Sequence, residues 1–423
     1  MEVVAGIVFV IALGVIAVDW VQRTKIALLG AGIMVLSGAI GTHEAVEAVD
    51  WETLGLLVGM MILVGLTERT GVFTYLALRV AQMSHGKPFR LVFLLALVTG
   101  VMSAFLDNLT AILLVVPITL LISDVLRIPA TPLVLVEVLA SNIGGTATLI
   151  GDPPNIMIGT HVRELGFLDF IVNLAPVSAL TLLVATTFLY FVYRNSLVVD
   201  PERTEEVSKL DAARDVRESR YVKRSVAVLV GTIVAFFLHT TLGVEPAVVA
   251  LSGATLLLLV AADDVEAALE RVEWATIFFF VGLFVMVGAL EQQGVITEVA
   301  ELFGDLTGGS ATNEMLVLVW GGAAGSALVD NIPFTAAMIP VVDELQASGA
   351  TASTDHTNWW ALALGACFGG NATPIAAAAN VAATGVLERS GRPVPFLRFM
   401  MVGIPVTIMS LLIATGYLLL FQL

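Results

Sequence analysis

One cysteine, Cys367, stands in 423 residues, which excludes an intramolecular disulfide and any metal site built from several thiolates. Charge is scarce too: Asp, Glu, Lys and Arg make up 13% of the chain, with 36 acids against 20 bases. The acidity is spread over several polar segments, so no nucleic-acid partner is implied. The five histidines fall in loops or at the ends of apolar runs and none forms HExxH, which leaves an intramembrane metalloprotease without support. No GxxxxGK[ST] loop is present. The chain is therefore expected to hydrolyse no ATP, to be no enzyme and to need no cofactor, and any work it does draws on an ion gradient, H+ or Na+, or on a separate cytoplasmic ATPase. Met1-Glu2 carries no basic n-region and no small-residue cleavage site follows the first apolar run, so that run reads as a retained span.

Apolar sequence fills the space: 58% of residues are hydrophobic and the mean hydropathy is +0.95, the composition of a polytopic membrane protein. A span needs roughly 20 apolar residues, fewer where the helix is broken. Spans are expected near 3–19, 25–40 and 52–67, followed by an amphipathic interfacial piece at 71–84. The next apolar stretch is interrupted by Asp107-Asn108-Leu109-Thr110 and is expected to be a re-entrant hairpin, 89–127. A broken helix, 131–159, and a span, 170–193, complete a first repeat, 1–193. A polar connector, 194–223, leads to a second repeat, 224–423. It holds three spans within 224–290, an interfacial stretch at 292–306, a hairpin 313–342 interrupted at Asp330-Asn331, a broken helix 359–386 and a last span 400–421.

The duplication is visible in the residues. VDWETLGLLVGMMILVGLTERTGV from Val49 aligns without gaps on VEWATIFFFVGLFVMVGALEQQGV from Val272, at an offset of 223 residues. The same offset places SAFLDNLTAILLVVP on SALVDNIPFTAAMIP, so Asp107 falls on Asp330 and Asn108 on Asn331. At an offset of 225, GGTAT from Gly144 falls on GGNAT from Gly369, and Asn155 on Asn380. If each repeat holds five spans plus a hairpin, the odd count inverts the second copy. Every Lys and Arg except Arg163 then lies on one face, which the positive-inside rule makes cytoplasmic, with both termini outside. The expected fold is an all-α membrane protein of about ten spans and two hairpins in two inverted repeats.

The polar residues at membrane depth are the candidate site. The stretch SNIGGTATLIGDPPNIMIG, Ser141 to Gly159, breaks a helix with Gly-Gly and Pro-Pro, and non-helical backbone at that depth is tolerated only in a protein interior or beside a watery cavity. Two breaks and two hairpin tips are expected to converge. Helix N-termini there suit anionic or oxygen-rich ligands, and freed carbonyls suit a cation. Asp107 and Asp330 can act as N-caps or as proton or cation sites; a charge at this depth costs ~3 kcal/mol where Asn or Ser would cap as well, which favours function. Asp152, before Pro153-Pro154, reads equally as an N-cap of the following half-helix or as an ion ligand. Glu137 is either a proton carrier or a neutral acid bonded to a neighbouring helix. Thr110, Ser141, Asn142, Thr146, Thr148, Asn155, Asn371, Thr373 and Asn380 offer neutral oxygens and amides, some of which bond freed backbone. Cys367 opens the second break and is either packing or a ligand for a soft metalloid. No metal cluster is expected.

At these motifs the chain resembles the ion transporter superfamily, within it the group of ArsB-type arsenite permeases, NhaD-type sodium/proton antiporters and the melanosomal P protein. The resemblance covers nearly the whole chain. It implies a scaffold of the first three spans of each repeat, often dimeric, and a transport domain of hairpins and broken helices that moves against it. The related divalent-anion/sodium symporters carry Ser-Asn-Thr at the tips, whereas here Asp107 and Asp330 lead them, which points to cations. The leading expectation is proton- or sodium-coupled efflux of arsenite or antimonite across the cytoplasmic membrane: arsenous acid is an uncharged trihydroxy species suited to amides and hydroxyls, and no Lys or Arg lies in either hairpin core or break. A sodium/proton antiporter and an anion or dicarboxylate symporter are the alternatives within transport. A non-transporting scaffold or receptor is the alternative from another class.

Overall fold

The computed structural model describes residues 1–18, 21–199, 203, 219–261, 264–347 and 356–422, and the connector expected at 194–223 lies largely outside them. All the regular elements among the described residues are helices. The first half runs α1 (Glu2–Val18), α2 (Arg23–Ser37), α3 (Thr42–Glu47), α4 (Trp51–Glu68), α5 (Val72–Met83), α6 (Pro88–Phe105), α7 (Asn108–Leu126), α8 (Ala130–Gly145), α9 (Pro153–His161) and α10 (Phe167–Tyr193). The second half repeats that order with α11 (Ser219–Leu242), α12 (Pro246–Ala261), α13 (Val265–Leu269), α14 (Trp274–Gln292), α15 (Val295–Thr307), α16 (Ala311–Val329), α17 (Asn331–Ala347), α18 (Thr357–Gly369), α19 (Ala378–Arg389) and α20 (Phe396–Phe421).

Local chemistry sets the helix ends. Asp50 caps α4, its carboxylate accepting from the backbone N–H of Glu52 and of Thr53, both at 3.0 Å. Proline opens α6 and α9, where its missing N–H costs nothing. The short helices α3 and α13, which the hydropathy did not signal, lead into α4 and α14 in the two halves. Among the described residues seven helices are long and apolar enough to cross a membrane by length and composition, including both arms of the first hairpin, α6 and α7. The outer faces of α1, α10, α11 and α20 expose large aliphatic side chains such as Val10, Leu180, Val234 and Leu412. Lipid accepts such faces, whereas water would not.

The two halves exchange partners: α2 packs on α14 and α4 on α12. Glycine permits both crossings. A Cβ on Gly59 would lie 2.7 Å from the Ala250 carbonyl carbon, and one on Gly282 2.6 Å from that of Ala27. Each hairpin packs on the first half of its own broken helix, α6 on α8 and α16 on α18. There too the backbones nearly touch, since a Cβ on Gly144 would sit 2.2 Å from the Gly100 carbonyl oxygen. Close backbone approach of this kind holds the breaks against the hairpins and positions the polar residues between them.

Candidate functional site

Both hairpins turn at an aspartate in a backbone conformation that L-residues rarely adopt, φ 122° at Asp107 and φ 106° at Asp330. Such conformations cost about 1–3 kcal/mol and persist where the surroundings over-determine them, commonly at ligand sites. Each carboxylate caps the helix that leaves the tip. Asp107 accepts from the Thr110 backbone N–H at 2.8 Å and Asp330 from that of Ile332 at 3.0 Å. Each therefore makes the N-cap contact, one of the two roles open to it from the sequence.

The two breaks are braced in matching ways. The Asn155 amide donates to the carbonyls of Thr146 and Thr148 at 3.0 and 2.9 Å, and the Asn380 amide to those of Gly370 and Thr373 at 2.7 and 2.8 Å. Thr148 donates to the Ala104 carbonyl and Thr373 to the Ala327 carbonyl, tying each break to its own hairpin. Ser103 does the same toward Ser141, and Ser326 toward Ala366. Thr146 donates to the Asn142 carbonyl. Asn155, Thr146, Thr148, Thr373 and Asn380 thus spend these polar atoms on freed backbone, which cannot stay unsatisfied away from water.

The remaining candidates meet at one point. Asp152, fully buried, occupies the N-cap position of α9 but makes no capping hydrogen bond. Of the two roles that the sequence left open, the side-chain cap is not the one the structure shows. The carboxylate accepts instead from the Asn108 amide at 3.2 Å and from the Asn331 amide at 3.1 and 3.3 Å, so one acid joins the tips of both hairpins. Asn108 also donates to Asn142 Oδ1 at 3.3 Å, and Asn142 in turn donates to Asn371 and Asn380 at 3.0 and 2.9 Å. Ser141 donates to the Asn108 carbonyl at 2.8 Å. The Asn371 amide nitrogen is buried without a partner. A cavity of about 40 Å³ adjoins this chain of amides, with Arg23, Asp107, Asn108, Asp152, Glu273 and Asn331 among its walls. That volume holds an ion or a few water molecules.

Arg23 corrects the expectation of a site without Lys or Arg. Its Nη1 donates to Asp330 Oδ2 at 3.0 Å across 307 residues of sequence. The reach comes from packing: α2 lies on α14, α14 touches α17, and the Arg23 guanidinium stacks 5.0 Å from the centre of the Phe279 ring of α14. Nothing in its local sequence distinguishes Arg23 from the other bases at span ends. Glu273, the N-terminal neighbour of α14, was likewise not expected at the cavity.

Two candidates, Glu137 and Cys367, are not on the cavity wall. Glu137, fully buried, accepts from the Thr119 hydroxyl through Oε1, and its Oε2 has no partner. Cys367 is fully buried with Sγ 3.7 Å from Asn155 Oδ1, and although it is not on the cavity wall its thiol reaches the Asp152 carboxylate from behind. Glu314 is a second buried acid that the sequence did not disclose, held by the Asn358 amide at 3.3 Å. On the Arg163 side a wider cleft of about 550 Å³ separates α4 and α14 from α9 and α17, with Asp50, Glu52, His161, Glu245 and Asp343 on its walls. Thr160 of α9 bridges it by donating to Asp50 Oδ2 at 2.9 Å.

Residues 11–365, most of the chain and nearly all of this cluster, match the family model described as citrate transporter, CitMHS. The chain belongs to the CitMHS family. It is a multi-pass membrane transporter of the ion transporter superfamily, as the resemblance in its hairpins and breaks implied. An uncharacterized transporter of Mycobacterium tuberculosis, Rv2684, is 42% identical over 99% of this chain and 98% of its own length. The P protein of Homo sapiens is 32% identical over 94% of this chain, which spans 57% of the P protein. Among solved structures, the YdaH transporter of Alcanivorax borkumensis superposes with a TM-score of 0.59 over 91% of this chain and 87% of its own, at 15% identity. At that identity the likeness concerns the fold alone. In this CitMHS transporter the tips carry Asp-Asn, and three acids, Asp107, Asp152 and Glu273, line the cavity with one base, Arg23, whose guanidinium pairs with a fourth acid, Asp330.

Proposed function

We propose that the chain is a cation-coupled secondary transporter that moves a small oxygen-rich solute outward in exchange for H+ or Na+. Asp152 carries this reading: one wholly buried carboxylate holds the amides of both hairpin tips, so whatever neutralises it acts on both halves of the site at once. The coupling cation binds among Asp107, Asp152 and Asp330, and the solute binds at the amides of Asn108, Asn331 and Asn371. Arsenite and antimonite are the favoured solutes. As neutral trihydroxy acids they meet no repulsion from the carboxylates and can both donate to and accept from the amides. The hairpins and broken helices move as a transport domain against a scaffold built on α1–α4 and α11–α14, and the protein works as a dimer in the cytoplasmic membrane with both termini outside.

A second reading, direct exchange of Na+ for H+, is favoured by the size of the cavity, about 40 Å³, which suits a bare cation. The description of the family names citrate, but four acids facing one base repel a tricarboxylate unless cations enter with it.

Proteoliposomes of the purified chain separate these readings. Labelled arsenite, labelled citrate and a pH-sensitive dye are followed in parallel under an imposed pH or Na+ gradient. Arsenite flux that follows the gradient supports the first reading. Sodium-driven proton movement without arsenite flux supports the second. Flux of neither ion nor solute refutes ion-coupled transport.

A further inference from the structure

The tie between Arg23 and Asp330 joins two parts of the molecule that a transport cycle must separate. Arg23 sits at the start of α2 and is held there by the Phe279 ring of α14, 5.0 Å from its guanidinium carbon. Asp330 sits at the tip of the second hairpin, α16–α17, and is 8% exposed, against 23% for the Arg23 side chain. The pair is one-sided. By the repeat offset the counterpart of Arg23 is Pro246, and among the described residues no ion pair reaches Asp107. Asp107, Asp152 and Glu273 face the same cavity, so the region draws in positive charge, and Arg23 is the cation that the protein itself supplies.

We propose that Arg23 is a tethered competitor of the coupling cation: its guanidinium occupies Asp330 whenever no free cation does, and the cation must displace it before the second hairpin can move. The inference rests on the ion-coupled reading given above and adds what enforces it. A buried carboxylate that loses its partner is left uncompensated, so Asp330 leaves Arg23 only when H+ or Na+ takes the guanidinium's place. The loaded tip is then free of the scaffold. The unloaded tip stays bound to Arg23, which suppresses a return of the empty carrier and links each movement of the hairpin to a cation. Phe279 keeps the guanidinium on the scaffold side once it is displaced, since cation–π contact partly replaces the lost charge partner.

The test measures thermal unfolding of the purified full chain against Na+ at fixed pH, and against pH without Na+, so that the two cations are told apart. Removing the competitor in Arg23→Gln should lower the half-saturating concentration of whichever cation stabilises the wild type by about tenfold. Arg23→Lys, which keeps the charge, should stay within about threefold of wild type. In proteoliposomes Arg23→Gln should also raise solute flux in the absence of the coupling gradient. Should Arg23→Gln not purify, Phe279→Leu loosens the guanidinium without altering the acids and should shift the midpoint in the same direction by about threefold. A wild type stabilised by a cation whose midpoint is unchanged in Arg23→Gln, or in Phe279→Leu where that variant stands in, overturns the proposal and leaves ion coupling intact. A wild type that neither cation stabilises overturns both.

Discussion

Replacing Asp152 distinguishes a structural strut from an ion site, because alanine and asparagine there remove different things. Asp152→Ala removes the acceptor for two amides. Asn331 loses both of its contacts, at 3.1 and 3.3 Å, while Asn108 keeps its bond to Asn142 at 3.3 Å. A buried donor left unpaired costs about 1–3 kcal/mol, and removing a fully buried acid returns part of that, so a net loss of about 1–2 kcal/mol is expected. Asp152→Asn keeps an oxygen where Oδ1 accepts from both amides and sacrifices only the longer Oδ2 contact, for about 1 kcal/mol. For a chain of this length a kilocalorie corresponds to about 1–2 °C, by scaling from smaller domains. Thermal unfolding in detergent should therefore show a loss of about 1–4 °C for alanine and about 1–2 °C for asparagine. Both substitutions remove the ionisable group. A cation at a hundred times its dissociation constant stabilises by about 2.7 kcal/mol, a rise of some 3–5 °C that should be present in the wild type and absent from both variants. An unchanged melting temperature in Asp152→Ala would refute the claim that this carboxylate joins the tips. An intact cation response in Asp152→Asn would remove it from the ion site.

Further outcomes follow from the tips and the breaks. Asp107→Gly relaxes the backbone at φ 122° but loses the cap on Thr110, effects of about 1 kcal/mol each that nearly cancel; the variant should melt within about 2 °C of wild type yet lose cation-dependent flux, and retained coupling would exclude Asp107. Gly144→Ala places a methyl 2.2 Å from the Gly100 carbonyl, so α8 must part from α6; size-exclusion profiles should show loss of the monodisperse protein, and a well-folded variant would contradict the close approach. Asn155→Ala and Asn380→Ala each unbind two carbonyls and should destabilise by about 2–4 kcal/mol, Asn380→Ala the more because it also takes an acceptor from the Asn142 amide; a milder effect in Asn380→Ala would show that the second break is not braced by these bonds.

The hairpins, the breaks and their order along the chain were legible in the residues because each is local chemistry. Asp-Asn inside an apolar stretch can only turn or cap, and Gly-Gly with Pro-Pro can only interrupt a helix, so the ends of α6, α7, α8 and α9 lie close to where composition put them. The duplication strengthened every such reading, and it recurs as matched hydrogen bonds from Asn155 and Asn380, Thr148 and Thr373, Ser103 and Ser326. The role of each polar group was not legible, because a side chain's partner depends on what tertiary packing brings beside it. Asp152 has the sequence context of a cap, yet it faces Asn108 of one repeat and Asn331 of the other. Glu314 lies where an apolar stretch begins and is nonetheless wholly buried. Arg23 has the context of a cytoplasmic anchor, and only the packing of α2 on α14 carries it to Asp330, 307 residues away. Sequence by itself thus determined where the helices stop and which polar residues interrupt them, since both follow from covalent neighbours. Tertiary structure decided which of those atoms are spent on backbone, which are shared between hairpins and which charge answers which, since Coulomb and hydrogen-bond energies depend on distance in space and not on distance along the chain.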